Sequence, residues 1–380
     1  MILDTDDLAA MTDAVRDFTE AEIAPHAVAW DEAKHFPIDV IKRSGDLGLG
    51  GICISDEHGG AGLGRAESVR IFEQLSRGCP SVAAYISIHN MVTQMIDTNG
   101  SDEQRAQWVK PLAELSMLGS YCLTEPGAGS DAAAVSTTAR RDGESWVLTG
   151  TKQFISGAGS TDVYVVMART SPEGSRGITA FIVPAGSDGL SFGANERKMG
   201  WNAQPTRQVI LDGVRLDDAA VLGGEGGGFG VAMRALNGGR LNIAACALGG
   251  AQWAVERAIE HLRTREAFGA PLLTQQGLRF RLADAQTQLE AARALLHRAA
   301  DAADDDAADA ITLCAMAKKF VTDASFDAAN TALQMLGGYG YLSEYGIEKV
   351  VRDLRVHQIL EGTNEIMQVI ISRSFDEVTA

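Results

Sequence analysis

The stretch YCLTEPGAGSD, residues 121–131, lies where the chain changes from helix-forming to strand-forming sequence. Residues 1–120, before this stretch, predict helices because apolar side chains recur at helical spacing. Ser101 and Gln104 form a capping box, which predicts the start of a helix that carries Trp108. The first third of the chain is therefore expected to be an N-terminal helical domain.

Residues 121–229 contain short β-branched and aromatic runs separated by turn residues, which predicts an antiparallel barrel or sandwich. The runs are SWVLTG (145–150), DVYVVMAR (162–169), GITAFIVP (177–184) and RQVILDGV (207–214). Residues 230–380 predict long helices again, near 231–263, 277–303 and 307–336. The order of helices, β domain and helical bundle makes the fold class α+β, mostly α. It argues against a doubly wound nucleotide fold.

The composition indicates a folded, acidic protein with a formal charge of −17. This charge argues against a nucleic-acid partner, and no apolar run is long enough to span a membrane. The N-terminus is acidic where a targeting peptide would be basic, so we expect a cytoplasmic protein. The five cysteines form no C-x-x-C pair, so no metal site and no disulfide framework is predicted. The acidic patch 301–310 is either a docking surface or, more simply, a solvated loop.

Two glycine-rich segments near the strands are candidates for ligand binding. In YCLTEPGAGSD, Gly127 and Gly129 force an irregular loop whose N–H groups suit an oxygen-rich ligand, although a domain linker is the alternative. In TKQFISGAG, residues 151–159, Phe154 and Ser156 suit a flat ring. A core phenylalanine is the simpler interpretation of that segment alone.

Two further candidates lie in the C-terminal helical region. In RTREAFGAPLLTQQ, residues 263–276, Arg265 could bind a phosphate with two N–H groups, or it is a solvated arginine at a helix end. LQMLGGYGY, residues 333–341, ends a helix with two glycines. The backbone there either approaches a ligand or only caps the helix.

The segment HQILEGTNEIMQ, residues 357–368, places Glu361 between two apolar residues and Gly362. Apolar neighbours raise the pKa of a carboxylate by desolvation, which makes it a better base. Gly362 permits a tight turn, and Thr363 is an N-cap candidate that would direct the positive end of a helix dipole toward the carboxylate. On these residues alone, a solvated loop acid is the simpler interpretation.

Together these segments resemble the acyl-CoA dehydrogenase family of flavoproteins over nearly the whole chain. The matching pieces are YCLTEPGAGSD, KQFISGAG, REAFGAPLLTQQ, QMLGGYGY and ILEGTNEI. The stretches FISGAGSTDVYVVM, KMGWNAQPTR, LNGGRLNIA and RDLRVHQILEGTNEIM look most like the family members that act on isobutyryl-CoA in valine degradation. The resemblance implies an N-terminal helical domain, a middle antiparallel β-barrel domain and a C-terminal four-helix-bundle domain.

The resemblance implies α,β-dehydrogenation of an acyl-CoA thioester, in which a base removes the α-proton and the β-hydrogen leaves as hydride to FAD. Glu361 matches the base of the family. Some members place the base on an earlier helix directly before an arginine. That position here is Gly239, before Arg240, and glycine cannot act as a base.

The resemblance also implies binding residues and partners. The expected FAD contacts are Tyr121, Cys122, Leu123, Thr124, Gly129, Ser130, Phe154, Ile155, Ser156, Arg265, Gln275, Gln276, Gln334, Gly337, Gly338, Thr363, Asn364 and Glu365. The expected acyl-CoA contacts are Ser130, Asn237, Gly238, Gly239, Arg240 and Arg373. Arg240 and Arg373 would supply positive charge for the phosphates of the substrate, although Arg373 is otherwise a typical residue of a helix C-terminus. Part of the FAD site comes from a neighbouring subunit in the family, which implies a homotetramer.

The implied function is oxidation of a short branched-chain acyl-CoA, first of all isobutyryl-CoA to methacrylyl-CoA, with electrons passed to an electron-transfer flavoprotein. One alternative is another dehydrogenase of the family, acting on 2-methylbutyryl-CoA or butyryl-CoA. Another is an acyl-CoA oxidase on the same scaffold, which hands electrons to O₂. A non-enzymatic helical protein that keeps flavin only as a structural element is a third.

Overall fold

The computed structural model describes residues 5–377. Residues 1–4 contribute to the acidic N-terminus on which the prediction of a cytoplasmic protein partly rests, and they lie outside the described residues, as do residues 378–380. The chain begins with six helices: α1 Thr5–Phe18, α2 Ala27–Ala33, α3 Ile38–Arg43, α4 Arg65–Gly78, α5 Pro80–Asn99 and α6 Asp102–Ala113. The predicted capping box is confirmed, because Ser101 Oγ accepts from the Gln104 N–H at 3.2 Å and the Ser101 N–H donates to Gln104 Oε1 at 3.0 Å.

Eight strands follow: β1 Gly119–Cys122, β2 Thr138–Asp142, β3 Ser145–Ser156, β4 Val163–Arg169, β5 Ile178–Pro184, β6 Leu190–Phe192, β7 Thr206–Asp217 and β8 Val221–Leu222. They form one sheet in the order β6-β7-β3-β2-β4-β5-β8, and β1 also pairs with β4. Most pairings are antiparallel, as predicted, but β1 and β2 each run parallel to β4. The four predicted runs correspond to β3, β4, β5 and β7, and the runs 162–169 and 177–184 each begin one residue before their strand.

The C-terminal region consists of α7 Gly228–Thr264, a hairpin of β9 Glu266–Ala267 and β10 Ala270–Pro271, and then α8 Gln276–Asp304, α9 Ala310–Met335, α10 Ile347–Arg355 and α11 Asn364–Glu377. The three predicted long helices are therefore present as α7, α8 and α9. The helical, β and helical regions occur in the predicted order, while the predicted domain boundaries after residues 120 and 229 stay a prediction.

Small residues allow α7 to pack closely against α4. A Cβ at Gly249 would stand 2.0 Å from the backbone oxygen of Glu73, so only glycine fits at this crossing. Ala247 and Ala251 on either side are fully buried in the main hydrophobic core, which α4, α5, α7, α8 and α9 share. This close packing fixes α7 and α9 as rigid walls beside the segment that joins α10 to α11.

The acidic patch is partly structural. Asp304, the last residue of α8, accepts from the N–H groups of Arg65 at 2.7 Å and Ala66 at 3.0 Å, so it caps the start of α4 and is more than a solvated loop residue. Within residues 5–377, no helix is long and apolar enough to cross a membrane. The same residues contain no group of three or more His, Cys, Asp or Glu side chains that could hold a metal ion.

Candidate active site

Glu361 lies in a short turn between α10 and α11. Its backbone has a φ of 56°, and Gly362 follows with a φ of 89°, so both residues adopt the left-handed conformation. This conformation is costly for a non-glycine residue and persists only where the surroundings enforce it. The predicted helix start is confirmed, because Thr363 Oγ1 accepts from the Ile366 N–H at 3.3 Å and α11 begins at Asn364.

One oxygen of the Glu361 carboxylate is held away from water. Its Oε2 oxygen is buried and has no hydrogen-bond partner among the described residues. Burial raises the pKa of Glu361 to about 7, although the nearby positive charges of Arg240 and Lys318 act in the opposite direction. A carboxylate with this pKa is poised to take a proton near neutral pH.

Gly239 on α7 makes room for this carboxylate. A Cβ at Gly239 would stand 2.8 Å from Glu361 Oε2 and 3.4 Å from the sulfur of Met91. The helix backbone therefore forms one wall of the carboxylate site. The sequence prediction that Gly239 cannot carry the base thus has a structural counterpart, because any side chain there would displace Glu361.

Arg240, the next residue on α7, contacts the turn that carries Glu361. Its side chain is buried, its Nε donates to the backbone oxygen of Glu361 at 3.3 Å, and its Nη1 donates to Asn237 Oδ1 at 2.7 Å. A buried guanidinium with these partners holds the turn that carries Glu361. That Arg240 also supplies charge for the substrate phosphates stays a prediction. Contact with substrate by Asn237 and Gly238 stays a prediction.

Lys318 on α9 is the residue at this site that the sequence reasoning missed. It is fully buried, and its Nζ donates to the Gly362 oxygen at 2.8 Å and to Asn364 Oδ1 at 2.9 Å. A signal was present in the sequence, since Lys318 shares a helix face with Cys314 and Val321, both buried. A lysine among apolar residues on a buried face indicates a specific partner.

The segment before Glu361 is anchored through His357. Trp201 Nε1 donates to His357 Nε2 at 3.2 Å, and because a tryptophan N–H can only donate, His357 Nδ1 must carry the proton that goes to the Ile243 oxygen at 3.1 Å. Burial lowers the pKa of His357 to about 3, so the ring stays neutral. Leu360, directly before Glu361, packs against the buried cluster that contains Trp201 and Ile243.

The loop 121–131 is fixed by a buried ion pair. Glu125 accepts from Lys152 Nζ at 2.6 Å, from the Ser136 N–H at 2.6 Å and from the Thr137 N–H at 3.0 Å. Lys152 Nζ also donates to the Leu123 oxygen at 3.1 Å. These bonds hold the predicted ligand loop in one conformation and lower the pKa of Glu125 to about 2, because Lys152 favours its charged form despite burial.

Two predicted ligand segments meet at Thr124, whose oxygen accepts from the Gln153 N–H at 2.8 Å. Phe154 follows with a φ of 59° and is 63% exposed, so the alternative that it is a core phenylalanine is wrong. Ile155 is buried beneath it. The Phe154 ring therefore lies near the end of β3, where it is exposed and a ligand can contact it.

Tyr121, at the other end of the loop, faces Glu361. Its hydroxyl is buried without a hydrogen-bond partner among the described residues. Burial, with the nearby charge of Glu361, holds the pKa of Tyr121 well above its ordinary value. Two polar atoms, the Tyr121 hydroxyl and Glu361 Oε2, are therefore left unsatisfied in one buried region, which indicates that a ligand completes it.

The residues present fit the FAD that the resemblance implies. A cavity of about 240 Å³ is bounded by Asp323, Arg355, Gln358, Ile359, Thr363, Asn364 and Glu365, three of them predicted FAD contacts. Ile359 is 51% exposed there, and no described atom lies within 4 Å of where a Cβ on Gly127 or Gly129 would stand. An exposed apolar face suits a flat ring, and open glycine backbone suits an oxygen-rich chain.

The remaining predicted contacts lie on the surface of the subunit. Arg265, Gln275, Gln276, Gln334, Gly337, Gly338, Ser130 and Arg373 are all exposed. The guanidinium of Arg265 lies 5.5 Å from the ring centre of Tyr339, next to the two glycines, so these two predicted segments adjoin each other. Cys122 and Leu123 are buried, and Ser156 offers its backbone oxygen to Ser120 Oγ at 2.7 Å. Contact of these residues with FAD or substrate stays a prediction.

Three family descriptions match consecutive parts of the chain. "Acyl-CoA dehydrogenase, N-terminal domain" matches residues 5–116, "Acyl-CoA dehydrogenase, middle domain" matches residues 120–214, and "Acyl-CoA dehydrogenase, C-terminal domain" matches residues 226–375.

Characterised relatives match over most of their length. The chain is 49% identical to isobutyryl-CoA dehydrogenase, mitochondrial, of Bos taurus, over 94% of this chain and 86% of the relative. It is 44% identical to the Dictyostelium discoideum protein of the same name, over 98% of this chain and 90% of the relative. It is 40% identical to short-chain specific acyl-CoA dehydrogenase, mitochondrial, of Sus scrofa, over 94% of this chain and 87% of the relative.

Solved structures share the fold over its whole extent. Butyryl-CoA dehydrogenase from Megasphaera elsdenii superimposes with a TM-score of 0.95 at 33% identity, covering 99% of this chain and 100% of that chain. A chain from a study of the electron transferring flavoprotein of Acidaminococcus fermentans gives 0.95 at 36% identity, covering 99% of each. Glutaryl-CoA dehydrogenase from Mycobacterium smegmatis in complex with FADH2 gives 0.92 at 28% identity, covering 98% of this chain and 96% of that chain.

Proposed function

Since the chain belongs to the acyl-CoA dehydrogenase family, we propose that it removes two hydrogens from a short branched-chain acyl-CoA, converting isobutyryl-CoA to methacrylyl-CoA. The family consists of FAD-dependent oxidoreductases. The observation that carries the proposal is the buried, unpartnered carboxylate of Glu361, whose pKa of about 7 suits a base that works near neutral pH.

Glu361 takes the α-proton of the acyl group onto its carboxylate as the C–H bond breaks. FAD, held by the residues named below, would supply the acceptor for the β-hydrogen as hydride, and loss of both hydrogens would leave the two carbons joined by a double bond. Burial matters for Glu361 because a desolvated carboxylate is a stronger base toward a weak carbon acid. The turn holds this carboxylate against α7 through Gly239 and Arg240, so little reorganisation is needed before proton transfer.

The backbone of Glu361 is also suited to bind the thioester. Its N–H donates to no group within residues 5–377, although the turn around it is otherwise well bonded. An unpaired N–H beside the base can donate to the thioester oxygen, where negative charge develops as the α-proton leaves. The α-carbon then lies within reach of the carboxylate of the same residue.

The chain supplies residues for FAD on two sides. Phe154 and the Thr124 loop would hold the ring system, and Thr363, Asn364 and Glu365 would hold part of the remainder from the 240 Å³ cavity. Arg265, Gln275, Gln276 and the 334–338 segment are exposed and would complete the site of a neighbouring subunit. We propose a homotetramer on this basis, supported by large exposed apolar side chains in the same region, Phe268 at 95% and Tyr341 at 83%.

Substrate choice is supported by likeness to relatives. The relatives named as isobutyryl-CoA dehydrogenases are 49% and 44% identical, compared with 40% for the short-chain specific enzyme. The proposal therefore places the protein in valine breakdown, with an electron-transfer flavoprotein as the acceptor. Since the short-chain relative matches nearly as much of the chain, butyryl-CoA is the second candidate substrate.

A panel of CoA thioesters tests the proposal. Isobutyryl-, butyryl-, 2-methylbutyryl- and isovaleryl-CoA are compared as substrates of the FAD-loaded protein, with electron-transfer flavoprotein and O₂ as competing acceptors. We expect the highest kcat/KM for isobutyryl-CoA and reduction of the flavoprotein without peroxide. Much poorer turnover of isobutyryl-CoA than of the other three would overturn the substrate assignment. Peroxide as the main product would indicate an oxidase.

A further inference from the structure

Among the described residues, Lys152, Lys318 and Lys349 are buried lysines, and Lys318 differs from the other two in its partners. Lys152 forms an ion pair with Glu125 at 2.6 Å, and Lys349 forms one with Asp353 at 2.7 Å. Lys318 is 0% exposed, yet within residues 5–377 no carboxylate forms an ion pair with it. Burial of a cation without an ion pair costs folding free energy, so the groups that Lys318 contacts indicate what its charge does.

The partners of Lys318 belong to the base turn. Its ammonium donates to the backbone oxygen of Gly362 at 2.8 Å, while Arg240 donates to the backbone oxygen of Glu361 at 3.3 Å. Two cations from two different helices, α9 and α7, therefore hold consecutive carbonyl groups. These carbonyls belong to the two residues in the left-handed conformation, which needs such enforcement at Glu361.

Lys318 also holds the start of α11. Asn364 Oδ1 accepts from Lys318 Nζ at 2.9 Å, and its amide donates to Thr322 Oγ1 at 3.1 Å and to Asp323 Oδ1 at 2.7 Å. Two residues that follow Glu361, Gly362 and Asn364, are thus tied to α9. The carboxylate has no direct hydrogen bond from Lys318, so any effect of the ammonium on it acts through position and through the electric field.

The charged and titratable groups around Glu361 come from three elements. Arg240 on α7 and Lys318 on α9 both favour the ionised carboxylate, and Tyr121 on β1 is neutral. The pKa of Lys318 itself is lowered to about 8, because burial and the charge of Arg240 together outweigh the charges of Glu361, Asp323 and Glu365, which raise it. The ammonium is therefore still charged where Glu361 titrates, near pH 7.

We propose that Lys318 is a positioning residue for the base: its ammonium fixes the turn through the Gly362 oxygen, and its charge favours the ionised form of Glu361. The role depends on the proposed function only in that Glu361 must act as the base. The electrostatic part concerns the ionisation of Glu361 itself, which can be measured without turnover.

The test compares Lys318→Met and Lys318→Arg with the parent holoenzyme. Lys319→Met is the matched control, because Lys319 is the next residue on α9 and makes only a surface ion pair with Asp323. Bound FAD, read from its visible absorbance, verifies that each variant is folded. The first readout is the pH profile of kcat/KM for isobutyryl-CoA. The second is the pH-dependent infrared band of the Glu361 carboxyl group, identified by its loss in Glu361→Gln.

In Lys318→Met, we expect the carboxyl titration and the acid limb of kcat/KM to move together to higher pH, by about one pH unit. We expect kcat to fall about 10- to 100-fold as the turn loosens. Lys318→Arg should keep the titration near that of the parent while losing part of kcat, and Lys319→Met should match the parent in both. If Lys318→Met does not retain FAD, Lys318→Gln, which keeps an N–H donor, is predicted to show the same titration shift.

An unchanged carboxyl titration in both neutral variants would overturn the proposal, as would equal losses of kcat in Lys318→Arg and Lys319→Met. Failure of the proposed function can be distinguished from failure of the inference about Lys318. If the parent protein oxidises no acyl-CoA but the infrared titration still shifts in Lys318→Met, the proposed function fails and the influence of Lys318 on Glu361 stands. If the parent is active and the titration does not move, only the inference about Lys318 fails.

Discussion

The Oε2 oxygen of Glu361 lies 2.8 Å from where a Cβ on Gly239 would stand, so the carboxylate occupies the space that a side chain on α7 would fill. A side chain at position 239 and the Glu361 carboxylate in its present place cannot both occupy this space. A carboxylate at one requires the smallest residue at the other, and burial between a helix backbone and apolar residues then sets its basicity.

Gly239→Ala is therefore predicted to lower activity with little change in the fold. The added methyl group must push the carboxylate out of line, and displacement of a catalytic group by about 1 Å costs roughly 100-fold in rate. Steady-state kcat with isobutyryl-CoA measures the effect. Gly230→Ala on the same helix is the control, because the nearest atom there is the end of a flexible side chain, Arg234, at 3.3 Å. Equal kcat in both variants would show that the close approach does not matter.

The activity is predicted to depend on pH through Glu361. Burial raises its pKa to about 7, so the carboxyl group is protonated and unable to act as a base at lower pH. We expect kcat/KM to fall about tenfold per pH unit below that value and to level off above it. A profile that stays flat down to pH values near the ordinary pKa of a glutamate would exclude a buried base.

Phe154→Ala is predicted to weaken FAD binding while leaving stability nearly unchanged. The ring is 63% exposed, so its removal takes little from the core, whereas loss of an aromatic contact weakens binding by roughly tenfold. Fluorescence titration of the apoprotein with FAD gives the Kd, and thermal unfolding of the apoprotein gives the stability. Ile311→Ala, at a side chain 55% exposed on α9, is the control for a general surface effect. An unchanged Kd in Phe154→Ala would remove this residue from the cofactor site.

Lys152→Met is predicted to destabilise the protein by about 3–5 kcal/mol, because it leaves the buried carboxylate of Glu125 without its cation. Chemical denaturation followed by circular dichroism gives the free energy of unfolding. Arg215→Met, which breaks the exposed ion pair with Asp142, should change that free energy little. The same loss in both variants would mean that the pair does not fix the loop 121–131.

Subunit assembly is predicted to depend on the exposed aromatic side chains near Arg265. Phe268 is 95% exposed in the single subunit, and we expect Phe268→Glu to reduce the native mass below that of four chains and to weaken FAD retention together with it. Light scattering after gel filtration measures the mass. Met199→Glu, at a residue 60% exposed on the β domain, is the control. A monomeric parent protein that still retains FAD would contradict the shared site.

Local signals in the sequence predicted the features that local forces determine. The capping box of Ser101 and Gln104 and the N-cap Thr363 each depend on residues within four positions of one another, and both are present. The strands β4 and β5 are predictable from the sequence because their side chains are buried on both faces and so form continuous apolar runs. The short strands β1, β2, β6 and β8 lack such runs and depend on their neighbours in the sheet.

Features set by distant partners were not predictable in this way. Lys318 bonds to a backbone oxygen 44 residues later, and Arg240 bonds to one 121 residues later. The buried helix face around Lys318 could indicate that it has a partner, but the nearby sequence does not show which group that partner is. The left-handed backbone of Glu361 and of Phe154 is likewise enforced by tertiary packing. Glu361 could be proposed as the base only because the motif around it resembles that of a family.

The most direct test of Glu361 as the base is anaerobic mixing of the FAD-loaded protein with isobutyryl-CoA, followed by the visible absorbance of the flavin. The parent protein should bleach rapidly as the flavin is reduced. Glu361→Gln should retain its FAD and bleach at least about 100-fold more slowly, because the amide cannot accept the α-proton. Bleaching of Glu361→Gln at a rate close to that of the parent would show that another group removes the proton.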